Sequence, residues 1–190
     1  MALSVGEVFA KAAFERIGGA AAGKFVDFLV ETRGWKFVTD GAGKVVKILS
    51  KEGAEVEKAL MMRELTLAEK EYAKQFVLGV YKDVRGTKGV SAAHHGVMSQ
   101  WMKAHYRDAY NPNLAPAIQM PETFHVDTTR ISRSWQTAME QKMGGTLDWE
   151  KVGFAEMKSL SEKMFDAAGV PASVRKQYWD AFNPFHKRLQ

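Results

Sequence analysis

Apolar residues recur at helical spacing along most of this chain, and that pattern restricts the possible folds more than any other feature. Glycine or proline ends several of these segments, as is typical of helices. With 190 residues, 46% of them hydrophobic, the chain can form one core, and we expect one compact domain. The helical segments are 5–17, 20–30, 128–142, 148–168 and 172–182, with Gly18–Gly19 between the first two.

A possible β-hairpin follows the second helix, over residues 35–49. Two β-prone runs, 35–39 and 45–49, flank the turn-forming sequence Asp40–Gly41–Ala42–Gly43–Lys44. Residues 45–60 also suit a helix, so the sequence leaves both structures open.

The next stretch, 52–84, is rich in helix formers. Thr66 and Glu69 have the spacing of a capping box, in which each side chain satisfies a free backbone donor. The pattern predicts a helix from Thr66, with Leu67, Tyr72, Phe76 and Val80 on one side and Tyr81 as a further candidate.

Composition excludes several kinds of chemistry, and the distribution of charge bears on the kind of partner. The absence of cysteine rules out disulfides, thiolate catalysis and cysteine-based zinc sites. No segment predicts a membrane span or a signal peptide. The net charge is +5, and residues 81–145 hold eight Lys or Arg against five Asp or Glu. This excess suits a polyanion, although ordinary solvated surface explains it as well.

Three of the five histidines lie in two short segments, His94 and His95 within 90–95 and His125 within 124–128, which together with 111–113 we call the histidine window. A neutral imidazole can deprotonate water near neutral pH. Phosphodiester hydrolysis also needs a divalent cation to neutralise charge on the phosphate and the leaving oxygen. One histidine cannot perform both tasks, whereas the pair and the later His125 can divide them. The 30-residue spacing leaves room for a strand, a loop and a return strand leading into a helix.

The sequence Ala93–His94–His95, the segment Asn111–Pro112–Asn113–Leu114–Ala115–Pro116, and His125 at the start of a helix together resemble a known family. It is the HNH/endonuclease VII superfamily, or His-Me finger nucleases, with a ββα-metal core. The Ala-His-His sequence is similar to the AHH branch of bacterial polymorphic toxin nucleases. The resemblance covers about residues 88–142.

The resemblance implies roles for individual residues. His94 and His125 would be metal ligands, and His95 the general base that activates water. Asn113, with Asn111 as the alternative, would orient the base through a hydrogen bond. The cofactor would be a divalent metal ion, with Mg²⁺, Zn²⁺, Mn²⁺ and Ni²⁺ all open.

This chain departs from the family at two positions. Gly96–Val97–Met98 follows the pair where many members have proline, and Thr129 stands where many have a second metal-binding histidine. Asp127 is then the nearest strong ligand, so the metal would be held by His94, His125 and Asp127, or by two residues and waters.

Other residues have weaker signals. Four basic residues near the window are candidates for nucleic-acid binding, because guanidinium and ammonium groups suit phosphate oxygens: Lys88, Arg107, Arg130 and Arg133. His105 is expected on a helical surface, and His186 lies in the basic tail without an evident partner.

The expected fold is therefore α+β and mostly helical, with a ββα-metal core embedded in surrounding helices. Residues 1–87 would form a helical N-terminal region, 88–142 the nuclease core, and 143–190 C-terminal helices packed on that core. The role of residues 1–85 is open: they could complete the core, shape a DNA cleft or bind an immunity protein.

The expected function is a metal-dependent endonuclease toxin that acts on DNA. The resemblance implies the C-terminal part of a larger secreted interbacterial effector, delivered into the target-cell cytoplasm and blocked in the producer by an immunity protein, with no membrane partner. An RNase toxin on the same core is one alternative. The other is a non-catalytic helical interaction module with structural histidines.

Overall fold

The computed structural model describes residues 5–17, 22–42 and 44–190, and it is an α+β structure in which helices predominate. The predicted fold class is therefore confirmed. Among the described residues, no helix has both the length and the apolar character needed to cross a bilayer. The predicted break at Gly18–Gly19 and the turn residue Gly43 lie outside the described residues.

The described residues of the N-terminal part form three helices and a small hairpin. Helix α1 is Val5–Ile17, α2 is Ala22–Arg33 and α3 is Lys58–Ala73. Strands β1 (Lys36–Thr39) and β2 (Val45–Leu49) pair antiparallel, so the predicted hairpin is present. Phe25, Leu29, Ile48, Leu65 and other apolar side chains of these elements are fully buried, which stabilises this region through removal of apolar surface from water.

A second, three-stranded sheet lies at the centre of the remaining chain. It consists of β3 (Val77–Val80), β4 (Ser91–His94) and β5 (Pro116–Pro121). Their order is β3-β5-β4, and both pairs are antiparallel. The order β4, β5 and then helix α5 (Glu122–Met143) gives the expected ββα arrangement. Helix α4 (Ser99–Tyr106) occupies part of the connection between the two strands.

Strand β3 corrects the helix that the sequence predicted from Thr66. Helix α3 begins at Lys58, eight residues earlier, so Thr66 lies inside it and its hydroxyl donates to the Met62 carbonyl at 3.0 Å. The chain then leaves the helix and pairs Val77 with Gln119 and Val80 with Pro116. The sheet thus includes a strand from before residue 88.

Two C-terminal helices cover the core. Helices α6 (Phe154–Ala168) and α7 (Ala172–Lys187) present their buried apolar side chains to it, and α6 ends at Gly169 in the left-handed conformation, with φ 76°. Phe165, Tyr178 and Phe182 are nearly completely buried. These helices form the wall behind the histidine segment.

Candidate functional site

The three window histidines line one pocket of about 220 Å³. His94 ends β4, His95 follows it, and His125 is the fourth residue of α5. Because β5 pairs with β4 and leads directly into α5, the chain brings His125 back to the end of β4. The ring centroids of His94 and His125 are 5.6 Å apart.

Hydrogen bonding determines which nitrogen of His94 carries the proton. The Thr128 hydroxyl donates its single proton to the His125 carbonyl at 2.8 Å, and it lies 3.3 Å from His94 Nδ1. The hydroxyl must therefore accept from Nδ1–H. Nε2 then carries a lone pair, yet it is buried and has no hydrogen-bond partner among the described residues. An unsatisfied buried group costs on the order of 1–3 kcal/mol, so this nitrogen is a candidate ligand atom.

In His95 the proton and the lone pair are on the opposite ring nitrogens from those in His94. Its ring hydrogen-bonds to the backbone carbonyl of Pro116, so the ring nitrogen at that contact must donate. Nδ1 is buried and without a partner among the described residues, so the donor is Nε2. The lone pair of His95 is therefore on Nδ1. The two neighbouring imidazoles each present an unpaired acceptor nitrogen, although by different ring atoms.

Burial favours the neutral form of all three imidazoles. It lowers the pKa of His94 to about 3, and the nearby rings of His125 and His95 act in the same direction. Burial lowers the pKa of His95 to about 4, against the opposing effect of the Pro116 hydrogen bond. Burial also lowers the pKa of His125, opposed by the charge of Glu122. Neutral imidazoles are the form that binds metals and accepts protons.

Gly96 holds the histidine pair against the C-terminal helices. A Cβ atom on Gly96 would lie 2.5 Å from the ring Cζ atoms of both Phe165 and Tyr178. The next residue is fixed as well, because the Val97 N–H donates to the Tyr178 hydroxyl at 2.9 Å. Close packing therefore explains why this chain has glycine after the pair.

Gly96→Ala is expected to lower the free energy of unfolding by about 1–3 kcal/mol, since the added methyl overpacks the core. The matched control is Gly145→Ala, because a Cβ there meets no atom within 4 Å. Thermal unfolding of the two variants beside the wild type measures the difference. Equal stability of both variants would contradict the close contact at Gly96.

Asp127 does not join the two metal-ligand candidates, which corrects the three-residue ligand set. Its Oδ2 accepts from Lys24 Nζ at 2.5 Å, and its Oδ1 accepts from Arg130 at 2.9 Å. Two residues along a helix differ by about 200° in direction, so Asp127 and His125 face different sides. Within the described residues, no three His, Cys, Asp or Glu side chains are grouped to hold a metal. Thr129, which stands where many family members have a second metal-binding histidine, lines the pocket.

Asn113 lies in a 3₁₀ turn before β5, and its side chain has a different partner from the expected one. Its Oδ1 accepts from Arg85 at 2.8 Å, while the Asn111 Oδ1 accepts from the Asn113 N–H at 3.0 Å. The His95 ring is held by the Pro116 carbonyl instead. The structure thus gives neither asparagine the hydrogen bond to the base that the resemblance implied.

The four predicted basic residues are in different places. Arg130 and Arg133 line a groove along α5, and Thr129 lines both this groove and the histidine pocket. Arg107 pairs with Glu150 at 3.2 Å. Lys88 is exposed in the turn before β4. Only the two α5 arginines are therefore adjacent to the pocket.

The two remaining histidines lie outside the pocket. His105 is exposed on α4, as expected, and hydrogen-bonds to the Trp149 carbonyl at 3.0 Å. His186 is buried and has a partner that the sequence did not indicate, the Tyr106 hydroxyl at 2.5 Å.

Two residues that contact the pocket histidines, Thr128 and Tyr81, were not assigned to the site from the sequence. Thr128 is three residues after His125 and so on the same helix face, a signal that was available. Tyr81 stacks on His95 with ring centroids 4.3 Å apart. It was hidden by the mistaken helix, and no local pattern indicated its position.

Comparison with known proteins gives one family. A family model of HNH/Endo VII superfamily toxins with a SHH signature matches residues 88–187, which is more than half of the chain. No solved structure matches. The two histidines of the signature are present as His94–His95, preceded here by Ala93 rather than serine. Because the matching model is the one with the SHH signature, the AHH branch is not confirmed. The wider class is confirmed: this chain belongs to the HNH/Endo VII superfamily toxins, a nuclease class.

Proposed function

We propose that the domain is a metal-dependent endonuclease that hydrolyses phosphodiester bonds in DNA. The observation that carries this proposal is the pair of unpartnered imidazole nitrogens, His94 Nε2 and His95 Nδ1, in a pocket that His125 also lines. One of the two can bind a cation while the other accepts a proton.

His95 is the proposed general base. The Pro116 carbonyl holds Nε2–H, which leaves Nδ1 to accept a proton from the attacking water. Since burial lowers its pKa to about 4, the ring is neutral at pH 7, which is the protonation state that a general base requires. The imidazolium formed would keep its hydrogen bond to Pro116, which stabilises the charge during the reaction.

His94 and His125 are the proposed metal-binding residues. The Thr128 hydroxyl fixes the His94 ring through Nδ1–H, as outer-shell partners of metal-binding histidines do. Two imidazole donors fit Zn²⁺ or Ni²⁺ better than Mg²⁺ or Mn²⁺, which suit oxygen ligands. When bound, the cation would neutralise charge on the phosphate and the leaving oxygen.

The α5 groove is the proposed path of the nucleic-acid backbone. It contains two arginines and the hydroxyls of Thr129, Ser134 and Thr137, all of which suit phosphate oxygens. Such contacts position the substrate without selecting a sequence. Double-stranded DNA is the substrate we propose, with RNA on the same groove as the alternative.

The biological role follows from the toxin class and is likewise proposed. The domain would act in the cytoplasm of a target cell after delivery as the C-terminal part of a larger secreted toxin. The producing cell would need an immunity protein to block the pocket or the groove.

Cleavage assays test the function directly. Purified protein is incubated with plasmid DNA and, in a separate assay, with tRNA. Each assay is run first in EDTA and then after addition of excess Zn²⁺, Ni²⁺, Mn²⁺ or Mg²⁺. Metal-restored plasmid cleavage supports the proposal, whereas selective tRNA degradation supports the RNase alternative. Absence of cleavage, of divalent-metal heat in calorimetry and of toxicity on expression would support the non-catalytic alternative.

Replacement of Arg130 and Arg133 by alanine is expected to weaken DNA binding at all sequences. Log K falls as log salt rises, and each lost arginine–phosphate interaction should reduce the magnitude of that slope by about 0.9. Binding isotherms at several salt concentrations measure the slope. Arg63→Ala, an exposed arginine on α3, is the matched control. An unchanged slope in the double variant would exclude the groove as the binding surface.

A further inference from the structure

Tyr81 belongs to the histidine pocket although it precedes the family-matched residues 88–187. Among the described residues that line this pocket, it is the one from before residue 88. It follows β3 directly, and its N–H donates to the Ala115 carbonyl at 2.9 Å. The backbone of Tyr81 is therefore attached to the segment that leads into β5, next to Pro116.

The Tyr81 ring lies against the proposed base. The ring centroids of Tyr81 and His95 are 4.3 Å apart, with 21° between the planes. The Pro116 carbonyl fixes one edge of the imidazole, and the tyrosine covers one face. A hydrogen bond alone permits the imidazole to tilt about that contact. The stacked ring opposes the tilt and so keeps Nδ1 directed into the pocket.

A second layer supports Tyr81. The Arg85 guanidinium lies 5.8 Å from the Tyr81 ring centroid, within the range of a cation–π contact. Arg85 donates to Asn113 Oδ1 at 2.8 Å, and the Lys82 N–H donates to the Asn113 carbonyl at 3.1 Å. Asn113 therefore anchors the turn after β3 through its side chain and its backbone.

We propose that Tyr81 is a positioning residue for His95, and that Asn113 acts on the base through Arg85 and Tyr81 rather than by direct contact. The inference rests on the proposed role of His95 in hydrolysis. It assigns a function to part of the N-terminal region: β3 and its following turn complete the site that the matched segment only partly contains.

The test uses full-length Tyr81→Phe and Tyr81→Leu, with Tyr106→Leu as control for loss of a half-buried tyrosine outside the pocket. Phenylalanine keeps the stacked ring, so cleavage should remain within about 2-fold of wild type. Leucine should lower kcat by up to about 10²-fold, as small misplacements of catalytic groups do, with little change in KM. Tyr106→Leu should keep the wild-type kcat.

An independent readout is the NMR shift of the carbon-bound ring protons of His95, assigned with His95→Gln. Ring current from Tyr81 should move them upfield in the wild type and in Tyr81→Phe, and not in Tyr81→Leu. If Tyr81→Leu does not fold, Arg85→Ala replaces it, with a smaller loss of kcat expected.

The outcomes separate the two proposals. An upfield shift in a protein that cleaves no nucleic acid would overturn the nuclease proposal and leave the stack intact. A cleaving wild type without the shift would overturn the positioning role. A folded Tyr81→Leu variant with wild-type kcat, or a Tyr81→Phe variant as impaired as Tyr81→Leu, would also overturn it.

Discussion

His95→Ala is expected to lower kcat for DNA cleavage by about 10²- to 10⁴-fold, the usual contribution of a general base. The variant removes Nδ1, the acceptor nitrogen that Pro116 and Tyr81 hold toward the pocket. Substrate binding should change little, because the arginines of the α5 groove remain. The measurement is the initial rate of plasmid cleavage at saturating metal and DNA.

His105→Ala is the matched control, since this histidine is exposed and lies outside the pocket. It should retain the wild-type rate. Added imidazole offers a second readout, because it can occupy the space left beside Tyr81 and accept the proton in place of His95. Partial rescue of His95→Ala by imidazole, without rescue of a metal-site variant, would identify the missing group as a base. Undiminished cleavage by His95→Ala would remove His95 from the mechanism.

Helical segments were predictable because their apolar spacing directly reflects burial. The predicted helices 5–17 and 172–182 lie in observed helices, whereas the predicted helix 148–168 is observed only from Phe154. The side chains of α6 and α7 that face the core follow that spacing. The order of strand, connection, strand and helix around the histidine pair was also predictable. The helices depend on a local pattern of apolar residues, and the order of elements depends on a motif with defined spacing.

Strand β3 was not predictable from local pattern. Its four residues follow a long helix-forming run, and Val80 continues the helical spacing of Tyr72 and Phe76. What makes the strand is pairing with β5, about 40 residues away, which competes successfully with weak local preference. Because Tyr81 depends on β3, the error in secondary structure also concealed a residue of the pocket.

Asp127 illustrates an error that helix geometry could have prevented. Once His125 is placed inside a helix, the residues that share its face are three or four positions away: Glu122, Thr128 and Thr129. Thr128 and Thr129 do line the pocket, and Glu122 acts electrostatically on His125. Chemical suitability as a ligand suggested Asp127, but its position on the helix directs it to Lys24 and Arg130.

His94→Leu is expected to make the metal-free protein more resistant to acid. In the folded state burial lowers the pKa of His94 to about 3, while an unfolded histidine titrates near 6.5. As pH falls below 6.5 the unfolded chain binds a proton that the folded protein excludes, so stability is lost between pH 6.5 and 3. At pH 5 the loss from His94 is about 2 kcal/mol relative to pH 7.5.

Leucine carries no titrating group and removes the unpartnered Nε2. Urea unfolding at pH 7.5 and 5.0, in EDTA, should therefore show a smaller loss for His94→Leu than for the wild type, by about 2 kcal/mol. His105→Leu, which replaces an exposed histidine, should keep the wild-type loss. An identical loss in all three proteins would contradict the burial of a neutral His94.

Added metal should stabilise the wild type and not His94→Leu, so the variant has a disadvantage with metal where it has an advantage in acid. At a free metal concentration 100 times Kd, a cation bound only to the folded state stabilises it by about 2.7 kcal/mol. The wild type should show this gain at pH 7.5 and lose it in EDTA, whereas His94→Leu should show none. The variant would then be more stable than the wild type in acid without metal, and less stable at neutral pH with it. Such a reversal is expected of a ligand nitrogen that is kept unpaired for a cation, because a purely structural histidine would give no metal-dependent difference.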